Sequence, residues 1–116
     1  RSARRRVDFK PMIHVATSGL CKFTVPAIEL MGLKASDAVV FHQGKRDKTE
    51  WAVEKADPSV GFVLRPEKDG GRLICNAAAP VKTLMASLHL ARGQWIPLGT
   101  QAEDGNYDLI TSAVKA

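Results

Sequence analysis

The chain has 116 residues, of which 45% are apolar and 25% charged, and 17 Lys and Arg against 12 Asp and Glu give a formal charge of +5. This length and composition are typical of one ordinary globular domain and exclude a globally disordered chain. No apolar run approaches the ~18 residues of a membrane helix, and the basic start does not lead into the apolar stretch of a signal peptide, so we expect a cytoplasmic protein without membrane contact.

The positive charge is concentrated at the start of the chain. Four arginines lie within the first six residues: Arg1, Arg4, Arg5 and Arg6. They supply +4 and leave only about +1 for the rest. We therefore divide the chain into a basic N-terminal arm, residues 1–11, and a single domain, residues 12–116. Such an arm can reach phosphates or an acidic protein surface, and the alternative is a solvated, loose chain end.

The first half of the domain reads as short strands around one short helix. Its pattern predicts strands over 12–16, 21–25, 38–41 and 51–55, a helix over 27–31 and a charged loop over 43–50. Pro26 suits the first turn of the helix, because its missing N–H would be unpaired there anyway. Thr24 is placed to cap the helix and Gly32 to end it.

The second half repeats this alternation. Its pattern predicts strands over 61–65, 72–75, 94–98 and 107–110, and a helix over 80–88. The helix carries an apolar face at i, i+3, i+4 and i+7, which indicates core packing: Val81, Leu84, Met85 and Leu88. Pro97 favours an edge strand, because proline cannot donate to a ladder. The fold class is therefore α+β, a β-rich small domain with short helices.

Two segments share one order of elements. Residues 19–43 and residues 71–98 each read as a strand, a proline-started helix, a polar turn and a second strand. The pair Leu30-Met31 aligns with Leu84-Met85. Two such strand–helix–strand units cannot easily bury their apolar faces alone, so we expect them to form one core as a pseudo-repeat.

Part of the first unit follows a known family pattern. The matching residues are Gly19, Phe23, Thr24, Val25, Pro26, Ile28, Met31, Gly32, Leu33, Asp37, Val39 and Phe41. They fit a strand of the form G-x-[IV]-[TV]-[IV]-P, a short helix and then LGL-x-x-GD-x-[VL]-x-[FV]. Over these ~25 residues the chain resembles the swapped-hairpin family of AbrB-like transition-state regulators and MazE-like antitoxins.

The resemblance implies DNA binding and transcription regulation by a swapped-hairpin fold. That family assembles the fold from two chains, and this chain, over twice the length of one unit, would hold an AbrB-like double unit by itself. Ser36 stands where the family has its turn glycine. Leu20-Cys21-Lys22 replaces the usual Gly-Arg, so Lys22 is the nearest cation to an arginine that the family typically turns to DNA.

No catalytic or metal-binding constellation is visible. The three histidines are scattered, no Cys/His spacing suits zinc, and no nucleophile or phosphate-loop motif is present. We therefore expect no enzyme, no metal, no cofactor and no small-molecule substrate. Cys21 and Cys75 lie in apolar strand patterns and are expected to be buried thiols of a protein from a reducing compartment.

We interpret the chain as a nucleic-acid-binding protein, with DNA favoured over RNA. The cations expected to contact it are Arg4, Arg5, Arg6, Lys22, Lys45, Arg46 and Lys48. A flexible arm can enter a minor groove, and a β-ribbon can contact the major groove or the backbone. A solvated turn is the alternative for residues 45–48. Single-strand binding is less favoured, because the aromatic residues it needs fall in patterns that predict core positions: Phe23, Phe41, Trp51, Phe62 and Trp95.

Two other classes stay open. A structural or interaction subunit of a larger assembly, such as a phage or ribonucleoprotein particle, fits the nearly neutral body. An antitoxin-like partner would hold another protein with the tail after Ile110, but residues 111–116 are few for that role. A homodimer is compatible with either class.

Overall fold

The computed structural model describes residues 10–67, 71–101 and 105–111. These residues contain nine strands and two helices, in the order β1 (Met12–Val15), β2 (Leu20–Phe23), α1 (Val25–Met31), β3 (Ala38–Gln43), β4 (Trp51–Ala56), β5 (Phe62–Val63), β6 (Arg65–Pro66), β7 (Leu73–Asn76), α2 (Ala78–Ser87), β8 (Gln94–Gln101) and β9 (Tyr107–Leu109). The fold is mixed α+β and dominated by strands, as the sequence predicts.

The strands form one antiparallel sheet that wraps into a nearly closed barrel. Its strand order is β5-β3-β4-β9-β8-β1-β2-β7-β6. The two ends of this order, β5 and β6, are separated in sequence only by Leu64. The Leu64 N–H donates to the carbonyl of Asp37 at 2.7 Å, and its carbonyl accepts from the Ser36 N–H at 2.9 Å. One short stretch of chain therefore joins both ends of the sheet.

Hairpins from the two halves of the chain alternate around the barrel. The order is β3–β4 from the first half, β9–β8 from the second, β1–β2 from the first and β7–β6 from the second. Neighbouring hairpins in this order thus always come from different halves. Because β1–β2 and β3–β4 do not pair with each other, the first half has no continuous sheet without the second.

The core fills the barrel. Inward residues of β1 and β2 alternate with outward ones, and Ile13, Val15, Cys21 and Phe23 are fully buried. The helices contribute Ala27 and Met31 from α1 and Val81, Leu84 and Met85 from α2. The predicted core positions of α2 are thereby confirmed, with Leu88 packed against the core at its edge. Cys21 and Cys75, also buried, lie opposite each other on β2 and β7 as free thiols.

Helix α1 begins at Val25, two residues before the predicted start, and ends at Met31 as predicted. The hydroxyl of Thr24 accepts from the Ala27 N–H at 3.4 Å and from the Met12 N–H at 3.1 Å, and it donates to the Lys10 carbonyl at 2.9 Å. Gly32 ends the helix in the left-handed conformation, at φ 66°. The Leu33 N–H then donates to the Ile28 carbonyl at 2.9 Å, which closes a Schellman motif and brings Leu33 into the core.

The prediction of an edge position for Pro97 is wrong. Strand β8 pairs with β1 on one side and with β9 on the other. The carbonyl of Pro97 accepts from the Ile110 N–H at 2.8 Å, just beyond the last residue of β9. The N–H and C=O of one strand residue point to the same neighbouring strand. The N–H that proline lacks would therefore point toward β9, at the position where the pairing of β8 with β9 ends.

The two aligned Leu-Met pairs differ in burial at their first position. Leu30 is 39% exposed, whereas Leu84 is fully buried. Helix α2 has ten residues and α1 has seven, so the longer helix turns different residues toward the core. It also begins at Ala78, before Pro80, because the first turn of a helix does not need the proline N–H.

Candidate nucleic-acid interface

One row of side chains crosses the outer side of five adjacent strands. The strand register places its members directly opposite one another: Trp95 on β8, His14 on β1, Lys22 on β2, Ile74 on β7 and Arg65 on β6. Their chain neighbours Ile13, Cys21 and Ile96 are fully buried. Since side chains alternate along a strand, the row faces out of the barrel. We call this row and the residues flanking it on the same strands the sheet face.

Trp95 lies at the centre of an aromatic and cationic cluster on the sheet face. The rings of His14 and Trp95 meet edge to face, with centroids 4.9 Å apart and planes at 65°. The guanidinium carbon of Arg72, which precedes β7, lies 5.2 Å from the Trp95 ring centroid. This is within the distance of a cation–π contact.

Lys22 and His14 both interact with other charged side chains of this cluster. The Lys22 Nζ lies 3.0 Å from a carboxylate oxygen of Glu67, and about a third of the lysine side chain is exposed. Partial burial lowers the pKa of His14 below its ordinary 6.5, and the charges of Lys22 and Arg72 lower it further. The imidazole is therefore mainly neutral at pH 7.

The two sides of the barrel carry opposite charge. Among the described residues, the outward positions of β8, β1, β2, β7 and β6 include Lys22 and Arg65 but no carboxylate. The outward positions of β3, β4 and β9 include Glu54 and Asp108 but no Lys or Arg. Glu67, directly after β6, pairs with Lys22, and the exposed cations Lys45, Arg46 and Lys48 lie in the loop between β3 and β4. The charge difference between the two sides is therefore confined to their strands, where the sheet face is the more positive.

The acidic side also pairs its one outward histidine. His42 Nε2 lies 2.9 Å from Glu54 Oε1. Lys55 on β4 lies opposite the inward residue Val39, and its ammonium reaches the Gly32 carbonyl at 3.1 Å and the Asp37 carboxylate at 3.5 Å. Lys55 is thus engaged at the end of helix α1, as Lys22 is engaged by Glu67 on the sheet face.

The structure does not bring the expected cations together. Lys22 lies on the sheet face, in the middle of a strand rather than at a hairpin tip. Lys45, Arg46 and Lys48 are exposed in the β3–β4 loop, and β9, β8 and β1 separate that hairpin from β2. Arg4, Arg5 and Arg6 lie outside the described residues.

The β3–β4 loop is held by its own hydrogen bonds. The Gly44 N–H donates to the Glu50 carbonyl at 2.7 Å. The Asp47 carboxylate accepts from the Thr49 hydroxyl at 2.6 Å and the Thr49 N–H at 2.9 Å, and these bonds lower the pKa of Asp47. The ion pairs seen among the described residues do not include the three loop cations. The loop is thus an ordered turn that presents Lys45, Arg46 and Lys48 to solvent.

Sequence reasoning missed the cluster around Trp95. Phe23 and Trp51 are buried as predicted, and Phe41 and Phe62 are partly buried against the core with centroids 6.4 Å apart. Trp95 instead faces outward. Ile96 and Leu98, which precede and follow Pro97 along β8, point into the core, so Trp95 and Pro97 point out of the barrel. The available signal was this alternation, in which Trp95 shares its side of β8 with Pro97.

The chain matches no protein-family model, no curated protein and no solved structure. Neither α1 nor α2 is long and apolar enough to cross a membrane, and these are the helices of the described residues. Across residues 10–67, 71–101 and 105–111, no group of three His, Cys, Asp or Glu side chains could hold a metal ion.

Proposed function

We propose that the protein binds nucleic acid, DNA in the first place, through the sheet face. The observation that carries the proposal is the charge of the strands, with Lys22 and Arg65 outward and Arg72 beside them, and with Glu67 beyond β6 as the carboxylate that pairs with Lys22. Phosphate contacts supply most of the affinity of such proteins, and Arg and Lys are the side chains that make them. Arg4, Arg5 and Arg6 would add contacts beyond the face.

The proposal extends to the fold. We propose that residues 19–43 and 71–98 are two copies of one AbrB-like swapped-hairpin unit, joined in a single chain. Cys21 lies opposite Cys75, and each cysteine precedes the proline of its helix, Pro26 or Pro80, by five residues. Strands that hold the same place in the two halves pair with each other, β2 with β7 and β4 with β9. This arrangement would make the chain a single-chain counterpart of two-chain transcription regulators.

Charge reversal on the sheet face tests the proposed function. We expect the double variant Lys22→Glu and Arg65→Glu to weaken binding to a DNA oligonucleotide at least ~10-fold in 100 mM salt. The loss of two phosphate contacts would reduce the slope of log K against log[salt] by about 2. Fluorescence anisotropy over a salt series measures both quantities.

The control is Lys82→Glu, because Lys82 is exposed on α2 and belongs to no strand of the sheet face. It changes the net charge by the same sign and should leave the slope unchanged. The neutral pair Lys22→Gln and Arg65→Gln avoids placing a new carboxylate beside Glu67. Equal slopes for the face and control variants would contradict the proposal, as would an affinity lost entirely by deleting residues 1–6.

The second candidate function is a structural subunit of a larger assembly. The opposite charges of the two barrel sides favour it, because the sheet face of one copy could meet the Glu54 and Asp108 side of another. Absence of binding to DNA and RNA at low salt, together with salt-sensitive self-association in sedimentation, would support this candidate instead.

A further inference from the structure

The middle of the sheet face is partly apolar. Half-buried apolar side chains point outward between its cations: Met12, Leu20, Ile74, Trp95 and Pro97. A face that met only phosphates would gain nothing from these residues. Apolar and aromatic surface beside cations is what an unpaired base and its phosphate need together.

The shape of the sheet face also bears on the ligand. Lys22 and Trp95 lie on β2 and β8, strands that pair on both sides, and Arg65 lies on the end strand β6, all on the outside of the barrel. Such positions do not protrude, whereas a duplex is read by an element that enters a groove. A single strand can lie across the strands and turn its bases toward the protein.

We infer that the nucleic acid bound at this face is single-stranded, with one unpaired base stacked on the Trp95–Arg72 pair. The inference rests on the proposed function. An indole and a guanidinium group both stack with bases, and the Arg72 guanidinium carbon lies 5.2 Å from the Trp95 ring centroid. Lys22 and Arg65 continue the row for the phosphates of the following nucleotides. His14 packs against the indole edge to face, a contact that restricts the orientation of the Trp95 ring.

Tryptophan fluorescence distinguishes a single strand from a duplex. The chain has two tryptophans, and Trp51 is buried with its N–H donated to the Ser87 hydroxyl at 2.9 Å. The variant Trp51→Phe therefore reports on Trp95 alone. A mixed-sequence 12-nucleotide DNA should quench the emission of Trp95, and the same sequence annealed to its complement should not. If Trp51→Phe does not fold, the difference between the wild type and Trp95→Phe gives the same signal.

Substitution of Trp95 measures the contribution of the stack. Trp95→Ala should weaken single-strand binding about 5- to 150-fold, as expected for the loss of one stacked base, and leave duplex binding unchanged. Trp95→Phe keeps an aromatic ring and should retain most of the affinity. Circular dichroism and thermal melting establish that both variants are folded.

The outcomes separate the inference from the proposed function. Duplex binding as tight as single-strand binding, with Trp95 emission unchanged, overturns the inference and leaves the proposed function standing. Single-strand binding that is insensitive to Trp95→Ala does the same. If neither form binds at low salt, both are overturned. An RNA 12-mer in parallel shows which sugar the face prefers.

Discussion

His14 lies where an added positive charge is unfavourable. Its ring packs against Trp95, and Lys22 and Arg72 are the nearest charges. Burial and these two cations hold the pKa of His14 below the 6.5 of an unperturbed histidine. The folded protein therefore resists a proton that the unfolded chain accepts readily.

The pH dependence of the free energy of unfolding should contain a contribution from His14. Because the unfolded state binds more protons below pH 6.5, the contribution of His14 to the free energy of unfolding should fall as the pH drops through 6.5 and level off below the folded pKa. Urea unfolding at pH 7.5, 6.5 and 5.5 measures the change. In His14→Gln the free energy of unfolding should change less with pH, because the titrating ring is absent. An identical pH dependence in wild type and variant would contradict this expectation.

Single residues were predictable where local chemistry decides their place. Thr24 and Gly32 are a helix cap and a helix end in the sequence and in the structure. The side of the barrel that Trp95 faces depends instead on which residues of β8 reach the core, and only the packed sheet decides this. Arg72 could not be placed near Trp95 from sequence, because β1 and β2 lie between their strands.

At the scale of elements, the two helices end in the same way but with different residues. Gly32 after α1 and His89 after α2 both adopt the left-handed conformation, at φ 66° and φ 57°. The Leu90 N–H donates to the Met85 carbonyl at 2.8 Å, as the Leu33 N–H does to that of Ile28. A residue other than glycine is strained in this conformation.

Exchange at these two helix ends should shift stability in opposite directions. His89→Gly should raise the free energy of unfolding by about 0.5–1 kcal/mol, since the strain of the left-handed histidine is relieved. Gly32→Ala should lower it by about 1 kcal/mol, and a Cβ there meets no atom within 4 Å, so the backbone angle alone is responsible. Denaturant melts of both variants provide the comparison, and shifts of the same sign would refute the shared helix end.

Most strands and both helices were predictable from the sequence because their periodicity and turn residues are local. The structure departs from that pattern at β8, which extends to Gln101, and at the predicted strand 61–65, which is divided into β5 and β6 at Leu64. Leu64 turns into the core, since it is 1% exposed, while β5 pairs with β3 and β6 with β7. The break at Leu64 lets one stretch of chain pair with both ends of the sheet. No local sequence pattern predicts it, because it depends on strands that are distant in sequence.

At the scale of the whole molecule, the alternation of hairpins is the main property that the sequence did not reveal. Strand β1 pairs with β8, and β3 pairs with β5, across more than twenty residues of chain. The order follows from which apolar sides meet in the core. The sequence predicts two units that share one core. That their hairpins alternate around the sheet is shown only by the strand pairing of the structure.

The molecule should be divisible at the turn between its halves. Residues 57–60 are exposed, and Val60 is 75% exposed. We expect fragments cut between Pro58 and Ser59 to refold together with nearly native circular dichroism, because every hairpin recovers its neighbours. Each fragment alone should lack a cooperative transition. A first fragment that folds as a monomer would contradict this expectation, and one that folds as a dimer would support the proposed repeat.

Interleaving has a consequence for how the protein is made. A chain that emerges from the ribosome presents β1 to β4 first, and those hairpins have no neighbours to pair with until β7, β8 and β9 have been synthesised. Translation therefore leaves the inward sides of Phe23, Val39 and Val53 open to water and to other nascent chains for several seconds at ordinary elongation rates. Aggregation or capture by a chaperone is most expected in that interval.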